Sequence, residues 1–225
     1  MGALAAVTTA CVLLSQSGTS AVALLVLIVV LGLATLSLRM TGIFLAAGFS
    51  IATIFAVPLA SVPYALGWHH WTWLPPESVA ARFYIWKYTA DKVYEHPITG
   101  IGIRGMRSLQ MTIPDDAGHQ VVLGRRVPHP HNVFIQIWLE LGAVGAALFL
   151  GVGLAALWQI RRWPKMLEGA GYSLFATCCA VGSLGFDLWQ TWLIASLALA
   201  WAAMLLATRL PIFCPATAES EGHRP

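Results

Sequence analysis

The sequence predicts an all-α, polytopic membrane protein, and three observations carry that expectation. Of its 225 residues 58% are hydrophobic and 10% charged, against roughly 25% charged in an ordinary soluble domain. Runs without Asp, Glu, Lys or Arg cover residues 1–38, 40–76, 141–160, 169–186 and 188–208, and about 20 apolar helical residues cross ~30 Å of hydrocarbon. The basic residues gather at the ends of these runs and in one long polar stretch, where membrane topology places them. These features exclude a soluble globular domain, a disordered chain, a collagen-like repeat and a disulfide-stapled secreted domain. The net charge of +3 is a topology signal and implies no nucleic-acid partner.

About six transmembrane helices are expected, at 3–14, 21–38, 43–59, 133–160, 171–186 and 191–207. The first is too short to cross unaided unless Met1 begins it at the membrane face. A signal peptide needs a basic start, and the first positive charge is Arg39. The chain then divides into N-terminal transmembrane helices (1–60), one large periplasmic loop (61–132), C-terminal transmembrane helices (133–210) and a cytoplasmic tail (211–225). Placing Arg161, Arg162 and Lys165 in the cytoplasm puts Arg39, Arg209 and Arg224 there too. It leaves the short loops 15–20 and 187–190 outside with no Lys or Arg, as the positive-inside rule requires. The large loop carries seven basic residues, which its length makes tolerable.

Within that loop, Pro75 and Pro76 open an amphipathic helix from Glu77 to His96, and His96-Pro97 stops it. Phe83, Tyr84, Trp86, Tyr88 and Tyr94 alternate there with Arg82, Lys87, Asp91 and Lys92, so the helix is expected at the headgroup level. Gly100, Gly102 and Gly105 mark a turn-rich stretch after it. Cys11, Cys178, Cys179 and Cys214 lie in or beside apolar tracts and read as small core residues, with no oxidising partner in the loop.

Chemistry concentrates at Pro128-His129-Pro130-His131-Asn132, at the mouth of the fourth span. Extended backbone through Pro130 turns His129 and His131 to one side. Three readings stand there: a metal ligand, a base toward a hydroxyl, or a capping or interfacial histidine. The metal reading is weak because no Cys or carboxylate lies at a short ligand spacing, so no metal is expected. Arg82 is a candidate for bidentate bonds to a lipid phosphate or pyrophosphate; snorkelling to headgroups is its bland alternative. Arg104, Arg107, Arg125 and Arg126 share that ambiguity. Glu140 and Asp187 lie inside or beside apolar tracts, where a charge is costly and points to function. Glu140 is expected near enough to the surface to be hydrated, and Asp187 at the outer ends of the last two helices, where a plain loop role also fits. The sequence has no P-loop, GxSxG, HExxH or CxxC pattern, which argues against ATP-driven chemistry. Asp115-Asp116 reads as an exposed turn.

The order of these features resembles the O-antigen ligase and polymerase superfamily of bacterial inner-membrane proteins. Three stretches carry the resemblance. The first is Ala81-Arg82-Phe83-Tyr84-Ile85-Trp86 ahead of His96-Pro97-Ile98-Thr99-Gly100-Ile101-Gly102; the second is His131-Asn132-Val133-Phe134-Ile135-Gln136; the third is Glu140-Leu141-Gly142 with Gly145. The resemblance covers about residues 10–207 and matches the C-terminal half of a typical member. It implies a helical scaffold similar to the glycosyltransferase C class. The reaction implied is metal-independent and cofactor-free: a glycan on undecaprenyl pyrophosphate passes to a lipid A core hydroxyl at the periplasmic face of the inner membrane, in lipopolysaccharide biosynthesis. By the same resemblance Arg82 holds the pyrophosphate and His131 assists the acceptor hydroxyl, with Arg104, Arg107, His129, Asn132, Glu140 and Asp187 as further substrate-binding candidates. One departure stands out, since Ser15-Gln16-Ser17-Gly18-Thr19 lacks the arginine that members commonly place after a serine in an early external loop. Either Arg104 or Arg107 substitutes for it, or the carrier is held less well. Two alternatives stay open: a polymerase that extends a growing polysaccharide on its carrier, and a truncated, non-catalytic protein that binds the lipid carrier.

Overall fold

The computed structural model describes residues 9–12, 14, 17–68, 76–109, 112–114, 120–122 and 127–210. Its helices are α1 (Gly18–Leu36), α2 (Leu38–Ile54), α3 (Ala56–Ala65), α4 (Pro76–Glu95), α5 (Val133–Ile160), α6 (Lys165–Leu184) and α7 (Thr191–Ala207). Between α4 and α5 lie a short 3-10 turn, Gly105–Ser108, and a two-stranded antiparallel ribbon. The ribbon pairs β1 (Thr112–Pro114) with β2 (Gln120–Val122), Thr112 facing Val122 and Pro114 facing Gln120. It is a small departure from the all-α expectation.

Local chemistry explains the helix boundaries. Ser37 is extended, so α1 ends there, and its hydroxyl accepts from Met40 N–H at 3.3 Å to start α2; a serine at this position satisfies a donor that the new helix leaves open. The break between α2 and α3 falls at Phe55, with a 75° bend. Pro58, four residues after Ile54, has no N–H for the Ile54 carbonyl, and its ring crowds that carbonyl.

Each described apolar tract forms a helix, but fewer of the helices suit a membrane crossing than expected. By length and composition α1 and α5 are long and apolar enough to cross, or up to three spans if bent α2 and α3 count as one; α7 is apolar and 17 residues long. The expected span 171–186 is the later part of α6, which begins at Lys165 and carries Glu168 in its first turn. α6 makes the most extensive helix pair of the molecule with α1. A Cβ on Gly169 would stand 3.2 Å from the Ala34 side chain, and small residues of this kind let membrane helices approach closely. Of the expected span 3–14, residues 9–12 and 14 are described, and they are helical; Cys214 and the tail lie outside the described residues.

α4 departs from the expectation of a helix lying on headgroups. Its inner face buries Phe83, Ile85, Ala90 and Val93, and the core formed there includes Val57 and Ala60 of α3 and Ile135 and Leu139 of α5. Periodicity identified the apolar face, and protein covers it. The outer face keeps the charges, with Lys87 and Asp91 paired at 2.6 Å and Lys92 and Glu95 at 2.7 Å.

Candidate functional site

α5 is not a continuous helix. Gly142 has φ 62° and ψ −159°, a conformation essentially reserved for glycine, and the break strips backbone groups of their helical partners. The segment after α4 replaces them. Ile101 N–H donates to the Leu139 carbonyl at 2.9 Å and Gly102 N–H to the Glu140 carbonyl at 3.0 Å. Ala143 N–H returns to the Pro97 carbonyl at 2.9 Å and Val144 N–H to the Ile98 carbonyl at 3.3 Å. A Cβ on Gly100 would overlap the Glu140 backbone, and one on Gly142 the Ile98 carbonyl. Two stretches that the sequence presents as separate motifs, 96–102 and 140–142, are therefore one interlocked backbone joint.

That joint holds a cluster of polar side chains beneath the mouth of α5. Glu140 is 1% exposed and Asp187 2%, so Glu140 is fully buried where the sequence suggested hydration. Gln136, on the same face one turn earlier, is also fully buried and joins them: its Nε2 donates to Glu140 Oε1 at 3.2 Å and to Asp187 Oδ1 at 2.7 Å, while its Oε1 accepts from Leu188 N–H at 3.3 Å. Both amide hydrogens and the amide oxygen have partners. Trp189 donates from its indole to Glu140 and from its backbone to Asp187 at 3.1 Å. Arg107 reaches Asp187 at 3.6 Å, and Arg104 Nη2 donates to the Trp189 carbonyl at 3.0 Å. Glu140, Asp187, Arg104 and Arg107 are thus brought together, and the loop between α6 and α7 closes the cluster.

The histidine corner adjoins it. Trp86 Nε1 of α4 donates to the Pro130 carbonyl at 2.9 Å, fixing the Pro-His-Pro-His turn against α4. Asn132 caps α5, its Oδ1 accepting from Phe134 N–H at 3.0 Å, so part of its side chain is already committed. His129 is buried, and its Nδ1 accepts the His131 backbone N–H at 3.3 Å. Burial is the main force that pushes His129 down to about 4; the neighbouring His131 and Arg107 add to it, and Asp187 opposes them. A neutral imidazole with Nδ1 engaged has little basicity to offer through that atom.

His131 differs. Its backbone is left-handed, with φ 55°, a conformation uncommon outside glycine, and the two imidazole centroids lie 4.1 Å apart. Burial and then the Arg82 charge lower its pKa below 6.5, while the Gly185 backbone acts the other way. Its Nδ1 is shielded from solvent and has no hydrogen-bond partner among the described residues. Arg82, partly buried on α4, likewise has no ion pair or hydrogen bond among the described residues. The arrangement sets a neutral base candidate and an uncommitted guanidinium close enough to feel each other. Arg125, Arg126, Asp115, Asp116 and the Ser15-Gln16 stretch lie outside the described residues. Among the described residues, no three His, Cys, Asp or Glu side chains are placed to hold a metal ion.

Sequence reasoning named Gln136 and Trp86 within the stretches that carry the resemblance but gave neither a role, and it missed Trp189. For Gln136 a signal existed, an amide inside an apolar run, which burial makes costly unless it is bonded. Trp86 had its place in the first of those stretches, and Trp189 carries no signal beyond composition.

Residues 3–150 match the family model described as O-antigen ligase. Curated relatives named "putative polysaccharide ligase" are similar over about half of the chain. The protein of Rickettsia prowazekii is 34% identical over 124 residues, which are 53% of this chain and 30% of the relative. That of Rickettsia typhi is 33% identical over 121 residues, 53% and 30%, and that of Rickettsia conorii 32% identical over 121 residues, 53% and 29%. The matched stretch is less than a third of each relative's length. No solved structure matches the chain.

Proposed function

The chain belongs to the O-antigen ligase family, and on that premise we propose that it transfers a glycan from undecaprenyl pyrophosphate to a lipid A core hydroxyl at the periplasmic face of the inner membrane. The observation that carries this reading is the His131 and Arg82 corner, a neutral imidazole with an unpartnered Nδ1 beside a guanidinium with no counter-ion among the described residues.

In the proposed step the acceptor oxygen attacks the anomeric carbon of the donor. The bond from that carbon to the pyrophosphate oxygen breaks, and the pyrophosphate leaves with the electron pair on its carrier. Arg82 neutralises the growing charge on the leaving group. The His131 imidazole takes the proton that the acceptor hydroxyl loses. An imidazolium there would have no lone pair to accept it, so the lowered pKa of His131 suits the role at neutral pH. Arg104, Arg107 and Asn132 would border the substrates, and His129, Glu140 and Asp187, buried and already bonded, would hold that border in place. No cofactor enters the step, which neither oxidises nor reduces anything. Orientation is part of the proposal: Arg39, Arg161, Arg162, Lys165 and Arg209 lie at one end of the helices and the His131 corner at the other, so the positive-inside rule turns the corner outward.

The test is transfer of a radiolabelled undecaprenyl-pyrophosphate glycan to lipid A core in proteoliposomes of the full chain. Labelled lipid A core supports the reading. Longer carrier-linked glycans would make the chain a polymerase, and no product from folded protein, with both substrates proven on an active ligase, would make it a non-catalytic carrier-binding protein.

A further inference from the structure

At the end of α5 remote from His131, a cleft of about 200 Å³ opens between α2, α5 and α6. Ile43, Ala46, Leu154 and Leu157 form an apolar floor, and Arg39 and Arg161 stand among its lining residues. Neither guanidinium has an ion pair among the described residues. The nearby carboxylate, Glu168, is buried and accepts the Tyr172 hydroxyl at 3.0 Å. Trp158, also on the lining, is 59% exposed and carries the Arg162 guanidinium 4.2 Å above its ring. An exposed Trp with arginines beside it is the pattern of a membrane interface.

An apolar floor under two unneutralised guanidiniums selects an amphiphile with an anionic head. We infer that this cleft binds an anionic phospholipid, its phosphate held by Arg39 and Arg161 and one acyl chain lying along Ile43, Ala46, Leu154 and Leu157. Guanidinium forks match phosphate oxygens, and basic pockets between membrane helices take lipid headgroups. The site is independent of the chemistry proposed at the other end of α5.

The experiment is native mass spectrometry of the full chain in detergent, with dioleoylphosphatidylglycerol or dioleoylphosphatidylcholine added. The glycerol lipid is expected to be retained at least about fivefold better than the choline lipid. Arg39→Gln and Arg161→Gln should each weaken its retention about fivefold, and the double variant about twenty-five-fold. Arg209→Gln, at the same end of the bundle but off the cleft, should change it less than about twofold. Ala46→Trp, which fills the floor and leaves charge unchanged, should abolish it. Equal retention of the two lipids, an Arg209→Gln effect as large as that of Arg39→Gln, or full binding by Ala46→Trp would each overturn the site. Should Ala46→Trp fail to fold, the variants at the exposed Arg39 and Arg161 decide the matter.

Discussion

Two neighbouring corners at the N-terminal end of α5 use similar side chains and differ in whether their polar atoms are already engaged. Around Gln136, the Glu140 and Asp187 carboxylates are met by an amide, an indole, backbone N–H groups and Arg107. At His131, the imidazole Nδ1 and the Arg82 guanidinium meet nothing among the described residues. A buried polar group without a partner costs stability, so the first corner reads as architecture and the second, on the proposed function, as the place where the substrates are met. The contrast teaches that an intramembrane carboxylate, the feature most visible in the sequence, need not be the group that meets the substrate.

The largest effect expected is at the open corner. Removing a general base costs about 10²- to 10⁴-fold in rate, so His131→Ala should lose transfer to that extent, and Arg82→Ala comparably through the leaving group. Neither should lower the melting temperature much. In the saturated corner the signature reverses. Gly142→Ala should destabilise by about 4 kcal/mol, from a glycine-only conformation and overlap with the Ile98 carbonyl. Gln136→Leu takes one hydrogen bond from each of two buried carboxylates and should cost about 3 kcal/mol. Denaturation midpoints measure both.

A pH titration sharpens the comparison further. Both imidazoles titrate below the ordinary 6.5 in the folded chain, His129 at about 4, so the unfolded chain binds more protons between those values. Stability should therefore hold above 6.5 and decline as pH falls toward 4. The acid limb of the transfer rate, set by His131, should lie below 6.5. The smallest effect belongs to the outer face of α4, where Lys87→Ala breaks a solvent-facing pair with Asp91 and should shift stability by no more than about 0.5 kcal/mol.

Much of the fold was legible because apolarity and charge spacing are properties of single segments. The helices at Gly18–Leu36 and Thr191–Ala207 lie within charge-free runs, and Val133–Ile160 takes in another such run together with Glu140. The interlock of 96–102 with 140–142 was not legible. Glycine is ordinary in membrane helices, and nothing in a linear reading says that the backbone freed at Gly142 is bonded by a loop some forty residues earlier. α4 shows the same limit, since its spacing revealed an apolar face without revealing that α3 and α5 cover it. At the site, Glu140, Asp187, Arg104 and Arg107 stood out singly as charges, but their meeting depends on how the loop after α6 folds back. Gln136 was given no role because an uncharged amide is a quieter anomaly than a carboxylate in the same run.

The most direct test of the central contrast is transfer turnover by His131→Asn, compared with wild type at equal folded fraction. Asparagine tolerates the left-handed backbone at this position and cannot serve as the base. The account predicts turnover reduced by about 10²-fold or more with an unchanged melting temperature. Turnover within about threefold of wild type would contradict it.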